Sequence, residues 1–281
     1  MKWFERMGTF AARLDKDEFE RRLTLLKEHY QALAPDPFGL DLDYARFPAR
    51  AAEVLHRLYF RTRVSGIESV PARAGLLVSN HSGQLPLDAA IIAAAFVFDR
   101  DPPRLVRSMV ERWVATLPLL PQFFARVGQV PGTPENCRLL LDRGELVLAF
   151  PEGVRGISKP FTRRYDLERF GHGFMRIALE TRCPVVTVSV IGAEEQYISL
   201  GNLDWAAKRL GFPVLPLLPQ LLLPGGVLPL PTRYHLAFGE PMHFEGDPAD
   251  EQKVAENVWL VRQTIQSMLR TGLEARQGIF K

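Results

Sequence analysis

Apolar residues recur at helical spacing in the first part of the chain. Over 17–33 they lie three and four residues apart, which is typical of one buried helix face. After a break rich in proline and glycine, a second helix is predicted over 48–60, with Pro48 in its first turn. The first fourteen residues combine aromatic and basic positions and predict an amphipathic helix, either docked on the protein or lying in a membrane interface. We therefore define 1–62 as an N-terminal helical segment.

From Gly75 onward, short apolar runs alternate with helical patterns. Strands are predicted in "GLLVSN", in the short run before "GQVP", in "ELVLAFP", in "PVVTVSVIG" and in "TRYHLAFGEPM". Helices are predicted over 88–98, 106–117, 134–142 and 167–181, and a closing amphipathic helix over 250–269. This alternation predicts an α/β fold with a mostly parallel sheet flanked by helices, N-terminal helices and a C-terminal amphipathic helix.

The segment 211–232 departs from this alternation. It carries no charged residue and is interrupted repeatedly by proline. Its length would allow a membrane span, but proline removes backbone donors and clashes within a helix, and unsatisfied backbone is costly in hydrocarbon. We expect either a buried connection or a loop that dips into a membrane interface, because several leucines need a surface that shields them from water.

Charge and cysteine content narrow the possible partners. Lys and Arg number 35 against 32 Asp and Glu, so the net charge of +3 gives no reason to expect nucleic acid as a partner. Cys137 and Cys183 lack the paired spacing of a zinc site and are too few for a disulfide framework, so we predict no metal site and a reducing cytoplasm. The charged N-terminus has no apolar core typical of a secretory signal.

A candidate acid/base pair lies in "LLVSNHSGQLPLD". His81 follows the first predicted strand of the alternating region, and Asp88 opens the next helix. In one continuous helix a seven-residue separation would rise about 10 Å, too far for a hydrogen bond, but Gly83 and Pro86 allow the chain to fold back. Asp88 could then pair with His81, which is a suitable base near neutral pH, or only cap the helix. Ser82 lacks the G-x-S-x-G elbow of a serine nucleophile.

A second group of polar residues follows another predicted strand, in "FPEGVRGISKPFTRR". Gly153 frees main-chain N–H groups, and Arg155, Lys159 and Arg163 add positive charge, which suits a phosphate or another anionic head group. The alternative is a solvated basic loop at a membrane surface, because Glu152 and other carboxylates partly offset the charge. Since strand carboxyl ends share one edge of a parallel sheet, both groups should face one crevice.

Three stretches in order, "NHSGQLPLD", "FPEGVRG" and "PVVTVSVIGAEE", resemble the glycerolipid acyltransferase superfamily, which includes lysophosphatidic acid acyltransferases and a monoacylglycerol/diacylglycerol acyltransferase-like branch. The resemblance covers 75–195 and implies that 63–281 form an acyltransferase domain. It implies that His81 deprotonates an acceptor hydroxyl and that Asp88 orients it, although their separation is two residues longer than usual. The predicted substrate-binding residues are Asn80, Ser82, Gly83, Glu152, Gly153, Arg155, Lys159 and Arg163.

The resemblance implies transfer of an acyl chain from an acyl-CoA or acyl-carrier-protein thioester to a hydroxyl of a glycerolipid or lysophospholipid. The thioester is already activated, so we expect no cofactor besides this co-substrate. "VGQVPGTPENCR" does not place an arginine as phosphate-specific members commonly do, so an acceptor without a phosphate stays open. We expect a peripheral protein on the cytoplasmic side of a membrane. The alternative function is a catalytically silent lipid-binding or membrane-scaffolding protein on the same fold.

Overall fold

The computed structural model describes residues 14–81 and 87–280. The amphipathic helix predicted for the first fourteen residues therefore falls almost wholly outside the described residues, as do Ser82 and Gly83. The strands are β1 (Arg63–Ser65), β2 (Gly75–Ser79), β3 (Val106–Val110), β4 (Val130–Pro131), β5 (Leu146–Ala149), β6 (Val185–Ile191) and β7 (His235–Phe238). The helices are α1 (Lys16–Gln31), α2 (Leu42–Val54), α3 (Leu87–Phe98), α4 (Leu120–Arg126), α5 (Pro134–Asp142), α6 (Val154–Ile157), α7 (Gly173–Thr181), α8 (Asp204–Leu210) and α9 (Glu251–Glu274).

The strands form one mostly parallel sheet. Within the described residues its seven strands lie in the order β1-β7-β6-β2-β5-β3-β4. All neighbouring pairs are parallel except β6 and β7, so β1 and β7 run opposite to the other five. The central strand β2 pairs with β5 on one side and with β6 on the other. The predicted α/β fold with a mostly parallel sheet is confirmed.

Helices cover both faces of the sheet. Leu76 and Val78 of β2 belong to a core cluster that includes buried residues of α5, α7 and α9. Leu77, between them, belongs to a second cluster on the opposite face, which includes Ile91 and Phe96 of α3. Alternate residues of a strand point to opposite faces, so a strand buried on both sides is apolar along its whole length. The β2 residues are all buried, which explains the unbroken "GLLV" run.

The N-terminal helices pack against this domain. Asp15 caps α1 by accepting hydrogen bonds from the main-chain N–H groups of Asp17 and Glu18, 2.8 and 3.2 Å away. The buried face of α1, with Phe19, Leu23 and Leu26, lies in one cluster with buried residues of α3. The start predicted for the second helix is wrong. Asp41 caps α2 at Leu42, so Pro48 lies inside the helix, which continues through a π-helical turn over Leu55–Tyr59.

The helix predicted over 106–117 is wrong. Residues Val106–Val110 form β3 between β5 and β4, and a 3-10 helix follows over Arg112–Thr116. A short apolar run fits a buried strand or a buried helix equally well, and here pairing on both sides decides for the strand. The run before Gly128 is α4 instead of a strand. The helix predicted over 167–181 begins only at Gly173, and residues 167–172 before it are irregular.

The proline- and leucine-rich segment 211–232 lies largely at the surface. It contains a short 3-10 helix, Pro219–Leu222, and little other regular structure. Leu222 is 88% exposed and Val227 is 72% exposed, so this segment is not the buried connection that was one of the two expectations. Among the described helices, none combines the length and apolar character needed to cross a bilayer.

Candidate active site

The ends of two adjacent parallel strands bring the two predicted groups together. Val78 of β2 pairs with Ala149 of β5, so the residues that follow them lie at the same edge of the sheet. The His81 ring stacks on Phe150, with ring centroids 4.1 Å apart and an interplanar angle of 24°. The His81 main-chain N–H donates to Oε1 of Glu152 at 2.9 Å. His81 and the "PEG" turn therefore share one site at the carboxyl edge of the sheet.

His81 and Asp88 form a hydrogen-bonded pair. The Nδ1 atom of His81 lies 2.8 Å from Oδ2 of Asp88, which is fully buried in the first turn of α3. Oδ1 of the same carboxylate accepts the main-chain N–H of Ala89 at 2.8 Å. Asp88 thus contacts both the histidine and the start of the helix, so the two sequence-based interpretations coexist. Because Nδ1 faces the carboxylate, the other ring nitrogen, Nε2, is the one available to a substrate.

Asn80 holds the end of β2 against β6. Its side-chain amide donates to the carbonyl oxygen of Val190 at 3.0 Å and accepts the main-chain N–H of the same residue at 2.8 Å. The side chain is fully buried. Both hydrogen-bonding functions of this amide are therefore engaged by the sheet, although the sequence predicted a role in substrate binding.

Glu152 and Lys159 point into the protein. Oε2 of Glu152 accepts the main-chain N–H of Glu168 at 2.7 Å, and the Lys159 ammonium lies 3.6 Å from the same oxygen. Lys159 also donates to the carbonyl of Asp166 at 2.9 Å and contacts Oε1 of Glu194 at 3.0 Å. Both residues are almost completely buried. Their contacts in this structure are with the protein, whereas the sequence predicted contacts with substrate.

The other members of this group lie nearer the surface. Arg155 is exposed and donates to the carbonyl of Arg169 at 3.0 Å, and exposed Arg163 pairs with Glu168 at 2.7 Å. Gly153 has φ 56° and ψ −147°, a conformation that L side chains rarely adopt. A Cβ at this position would also lie 3.0 Å from Oε1 of Glu111. The two arginines are thus the basic residues of the predicted set that can reach a group in solvent.

Three site residues were not predicted from the sequence. Phe150 supports one side of the His81 ring. Gly156 packs so closely that an added Cβ would lie 2.8 Å from the His81 carbonyl oxygen and 2.9 Å from its Cβ. Glu194, in the turn after β6, also accepts the main-chain N–H of Tyr165 at 3.0 Å. Burial raises the pKa of Glu194 to about 7. The sequence offered two signals for these residues: Gly156 is the second glycine of "PEGVRG", and Glu194 is the first glutamate of "GAEE".

Comparisons with known proteins show the family to which the chain belongs. Residues 61–191 match a family model described as Acyltransferase. An uncharacterized protein of Mycobacterium leprae (strain TN) is 35% identical to the chain, and the alignment covers 98% of this chain and 81% of that protein. The chain belongs to the acyltransferase family, within the glycerolipid acyltransferase superfamily.

Two further proteins that are similar to the chain have names that state a function. A Gallus gallus protein described as "DGAT1/2-independent enzyme synthesizing storage lipids" is 23% identical over 71% of this chain and 58% of its own length. The crystal structure of the 1-acyl-sn-glycerophosphate (LPA) acyltransferase PlsC from Thermotoga maritima superposes with a TM-score of 0.52. It is 16% identical and covers 83% of this chain and 82% of its own, so this likeness supports the fold.

Proposed function

We propose that this protein transfers an acyl chain from a thioester to a hydroxyl of a glycerolipid or lysophospholipid, with His81 as general base. The observation that carries the proposal is the hydrogen bond of 2.8 Å between His81 Nδ1 and Asp88 Oδ2 in a member of the acyltransferase family. A buried carboxylate on one ring nitrogen fixes the tautomer and leaves the other nitrogen as the proton acceptor.

The proposed reaction needs one base and an activated donor. Nε2 of His81 removes the proton of the acceptor hydroxyl as the oxygen attacks the thioester carbonyl carbon. A C–O bond forms, the C–S bond breaks, and the proton passes from His81 to the departing thiolate. Asp88 stabilises the transient imidazolium, since a carboxylate within hydrogen-bonding distance favours the charged ring. The products are an ester and a free thiol, and no cofactor is required besides the acyl donor.

We propose acyl-CoA as the donor, with acyl-carrier protein as the alternative carrier. Arg155 and Arg163 are exposed beside the site and suit an anionic group of either substrate. The name of the Gallus gallus relative, an enzyme synthesizing storage lipids, supports a neutral glycerolipid among the acceptors to be tested. Lysophospholipids remain in the same test because the family resemblance includes them.

We further propose that the protein binds peripherally to the cytoplasmic side of a membrane. The support is an exposed apolar patch formed by Leu200, Trp205, Leu210, Leu217, Leu221, Leu222, Leu223, Val227 and Leu228. The patch adjoins the segment that follows the "PEG" turn, because Phe161 N–H donates to the Ser199 carbonyl at 2.8 Å. Exposed Lys208 and Arg209 on α8 add positive charge suited to anionic lipid.

Acyl transfer is tested by release of free thiol and formation of ester. Oleoyl-CoA and oleoyl-acyl-carrier protein are each supplied with monoacylglycerol, lysophosphatidic acid or lysophosphatidylcholine in vesicles. The wild-type protein should release thiol only with an acceptor, and His81→Ala should lower kcat by roughly 10² to 10⁴. Asp88→Asn should have a smaller effect, because His81 keeps its ring. Full activity of His81→Ala would reject His81 as the base. Vesicle binding without ester formation on any acceptor would favour the scaffolding alternative, and thiol release without an acceptor would indicate hydrolysis.

Membrane binding is tested by vesicle flotation of the double variant Leu221→Asp/Leu222→Asp. Each leucine that leaves water contributes about 1.5 to 3 kcal/mol, so partial insertion of two leucines should make the variant bind at least tenfold more weakly. The matched control is Trp259→Asp/Leu260→Asp, an exposed apolar pair on α9, for which we expect little change. Unchanged binding of the Leu221/Leu222 variant would reject the apolar patch as the membrane anchor.

A further inference from the structure

Three charged side chains lie buried next to one another, and one of them accepts the main-chain N–H of His81. The carboxylates of Glu152 and Glu194 flank the Lys159 ammonium at 3.6 and 3.0 Å. The Lys159 side chain is 2% exposed, and the two carboxylate side chains are 0% and 5% exposed. Burying a charge is costly unless it is paired, so removal of one member leaves the others without compensation. We refer to Glu152, Lys159 and Glu194 as the buried charge cluster.

The buried charge cluster contacts His81 through Oε1 of Glu152. Oε1 of Glu152 accepts the main-chain N–H of His81, while Oε2 accepts the main-chain N–H of Glu168. The position of this carboxylate therefore influences the position of the His81 backbone, to which the ring is attached. Lys159 is the cation of the cluster and lies closest to the Oε2 side of Glu152.

Lys159 and Glu194 are themselves held by the main chain of one neighbouring segment. Lys159 donates to the carbonyl of Asp166, and Oε2 of Glu194 accepts the main-chain N–H of Tyr165. The Tyr165 hydroxyl in turn accepts the N–H of Gly192, at the end of β6, at 2.9 Å. The cluster thus connects the turn after β5, the turn after β6 and His81, which lies two residues after the end of β2.

We propose that Lys159 and Glu194 are positioning residues that act on His81 through Glu152, and that neither binds substrate. This inference rests on the proposed function, because it assigns the two residues to the base of that reaction. A bound anion would have to compete with the carbonyl and the carboxylates that Lys159 already contacts. A displacement of about 1 Å at a catalytic group can cost 10²-fold in rate, so loss of the cluster's cation should act on catalysis.

The test separates kcat from KM in the thiol-release assay with oleoyl-CoA and the best acceptor of the panel. Lys159→Met should lower kcat roughly ten- to a hundredfold and change the acceptor KM less than about twofold. The double variant Lys159→Met/Glu152→Gln should be hardly slower than Lys159→Met, because residues that act through one another are not additive. An unchanged kcat, a higher acceptor KM alone, or additive effects in the double variant would each overturn the proposal.

A control separates positioning from general loss of stability. Arg107 is fully buried and bonds Asp36 and Glu145 at 2.7 Å each, in a different ion cluster. Arg107→Met should lower the melting temperature and leave kcat per folded molecule unchanged. If Lys159→Met does not fold, Glu194→Gln is the second variant: it keeps the shape of the side chain and one oxygen acceptor, but its amide nitrogen would face the other donor, so it should lower kcat about three- to tenfold. Unchanged kcat in Glu194→Gln would overturn the proposal. An inactive wild-type protein would instead reject the proposed function.

Discussion

The main-chain N–H of His81 donates to Oε1 of Glu152 over 2.9 Å. The family resemblance assigns this glutamate to the acceptor site, yet its two oxygens accept the main-chain N–H groups of His81 and Glu168. The carboxylate is almost completely buried. Glu152 therefore holds the candidate base from the protein side, and its replacement should affect catalysis more than acceptor affinity.

Glu152→Gln tests this relationship directly. The amide oxygen can still accept one N–H, but the amide nitrogen would face a second donor, and a buried unsatisfied donor costs about 1 to 3 kcal/mol. We expect kcat to fall roughly tenfold or more at nearly constant acceptor KM. The control is Glu53→Gln on α2, which changes a carboxylate that is equally buried and pairs with Arg50. A raised acceptor KM at constant kcat would show that Glu152 contacts the acceptor.

Gly156→Ala should displace His81. A Cβ at Gly156 would lie 2.8 Å from the His81 carbonyl oxygen and 3.0 Å from the Glu152 Cβ, so backbone must shift. Such overpacking typically costs 1 to 3 kcal/mol, and we expect a loss of kcat of roughly ten- to a hundredfold, measured with urea unfolding and steady-state kinetics. At Gly173, at the start of α7, an added Cβ would have no heavy atom within 4 Å among the described residues outside its chain neighbours and its own helix backbone, so Gly173→Ala should be neutral in both measurements. Full activity of Gly156→Ala would contradict this close packing.

Glu194 should make stability depend on pH with a defined sign. Burial is the largest cause that raises its pKa from 4.5 to about 7, and Lys159 opposes the rise. The folded protein therefore binds this proton more tightly than the unfolded chain, and the free energy of unfolding falls as the pH rises through that window. The free energy of unfolding in urea should therefore change in favour of Glu194→Gln: its difference from wild type should grow by about 1 to 3 kcal/mol as the pH rises from about 5 to about 8. A constant difference between the two proteins would contradict the raised pKa.

Both cysteines should be unreactive in the folded protein. Burial raises the pKa of the Cys137 thiol to about 12, and it also raises the pKa of Cys183. Only the thiolate reacts, so Ellman's reagent should modify neither thiol quickly until guanidinium unfolds the chain. This leaves little background in the thiol-release assay. Rapid modification of a thiol in the native protein would contradict the buried positions of both residues.

The geometry of the His81 and Asp88 pair was largely accessible from the sequence. Their separation excluded a hydrogen bond within one helix, and Gly83 with Pro86 indicated a turn that would bring them together. The structure places Asp88 in the first helical turn with its carboxylate on the His81 ring. The common edge of β2 and β5 followed in the same way from the alternation of strands and helices, because parallel strands end on one side.

Other features depend on long-range contacts and could not be derived from local patterns. The residues of β3 read as a helix because a short apolar run has no distinctive period, and only the pairing with β5 and β4 makes it a strand. Lys159 resembled an anion-binding residue because three of its neighbours in the sequence are also basic. The carboxylate that lies nearest to its ammonium among those described above, Glu194, is 35 residues away along the chain. The positive charge of the neighbouring residues in the sequence therefore did not reveal that Lys159 points into the protein.

Asn80 separates the sheet from the reactive residue. An amide side chain carries both a donor and an acceptor, so Asn80 reproduces on Val190 the two bonds that another strand residue would make with its backbone. The hydrogen bonding between β2 and β6 thus ends with the Asn80 side chain, one residue before His81. The next main-chain N–H is released from pairing with a neighbouring strand and is free to meet Glu152. An aspartate or a leucine at this position could not substitute, because neither supplies both bonds. The placement of the base thus begins with a side chain that imitates a peptide group.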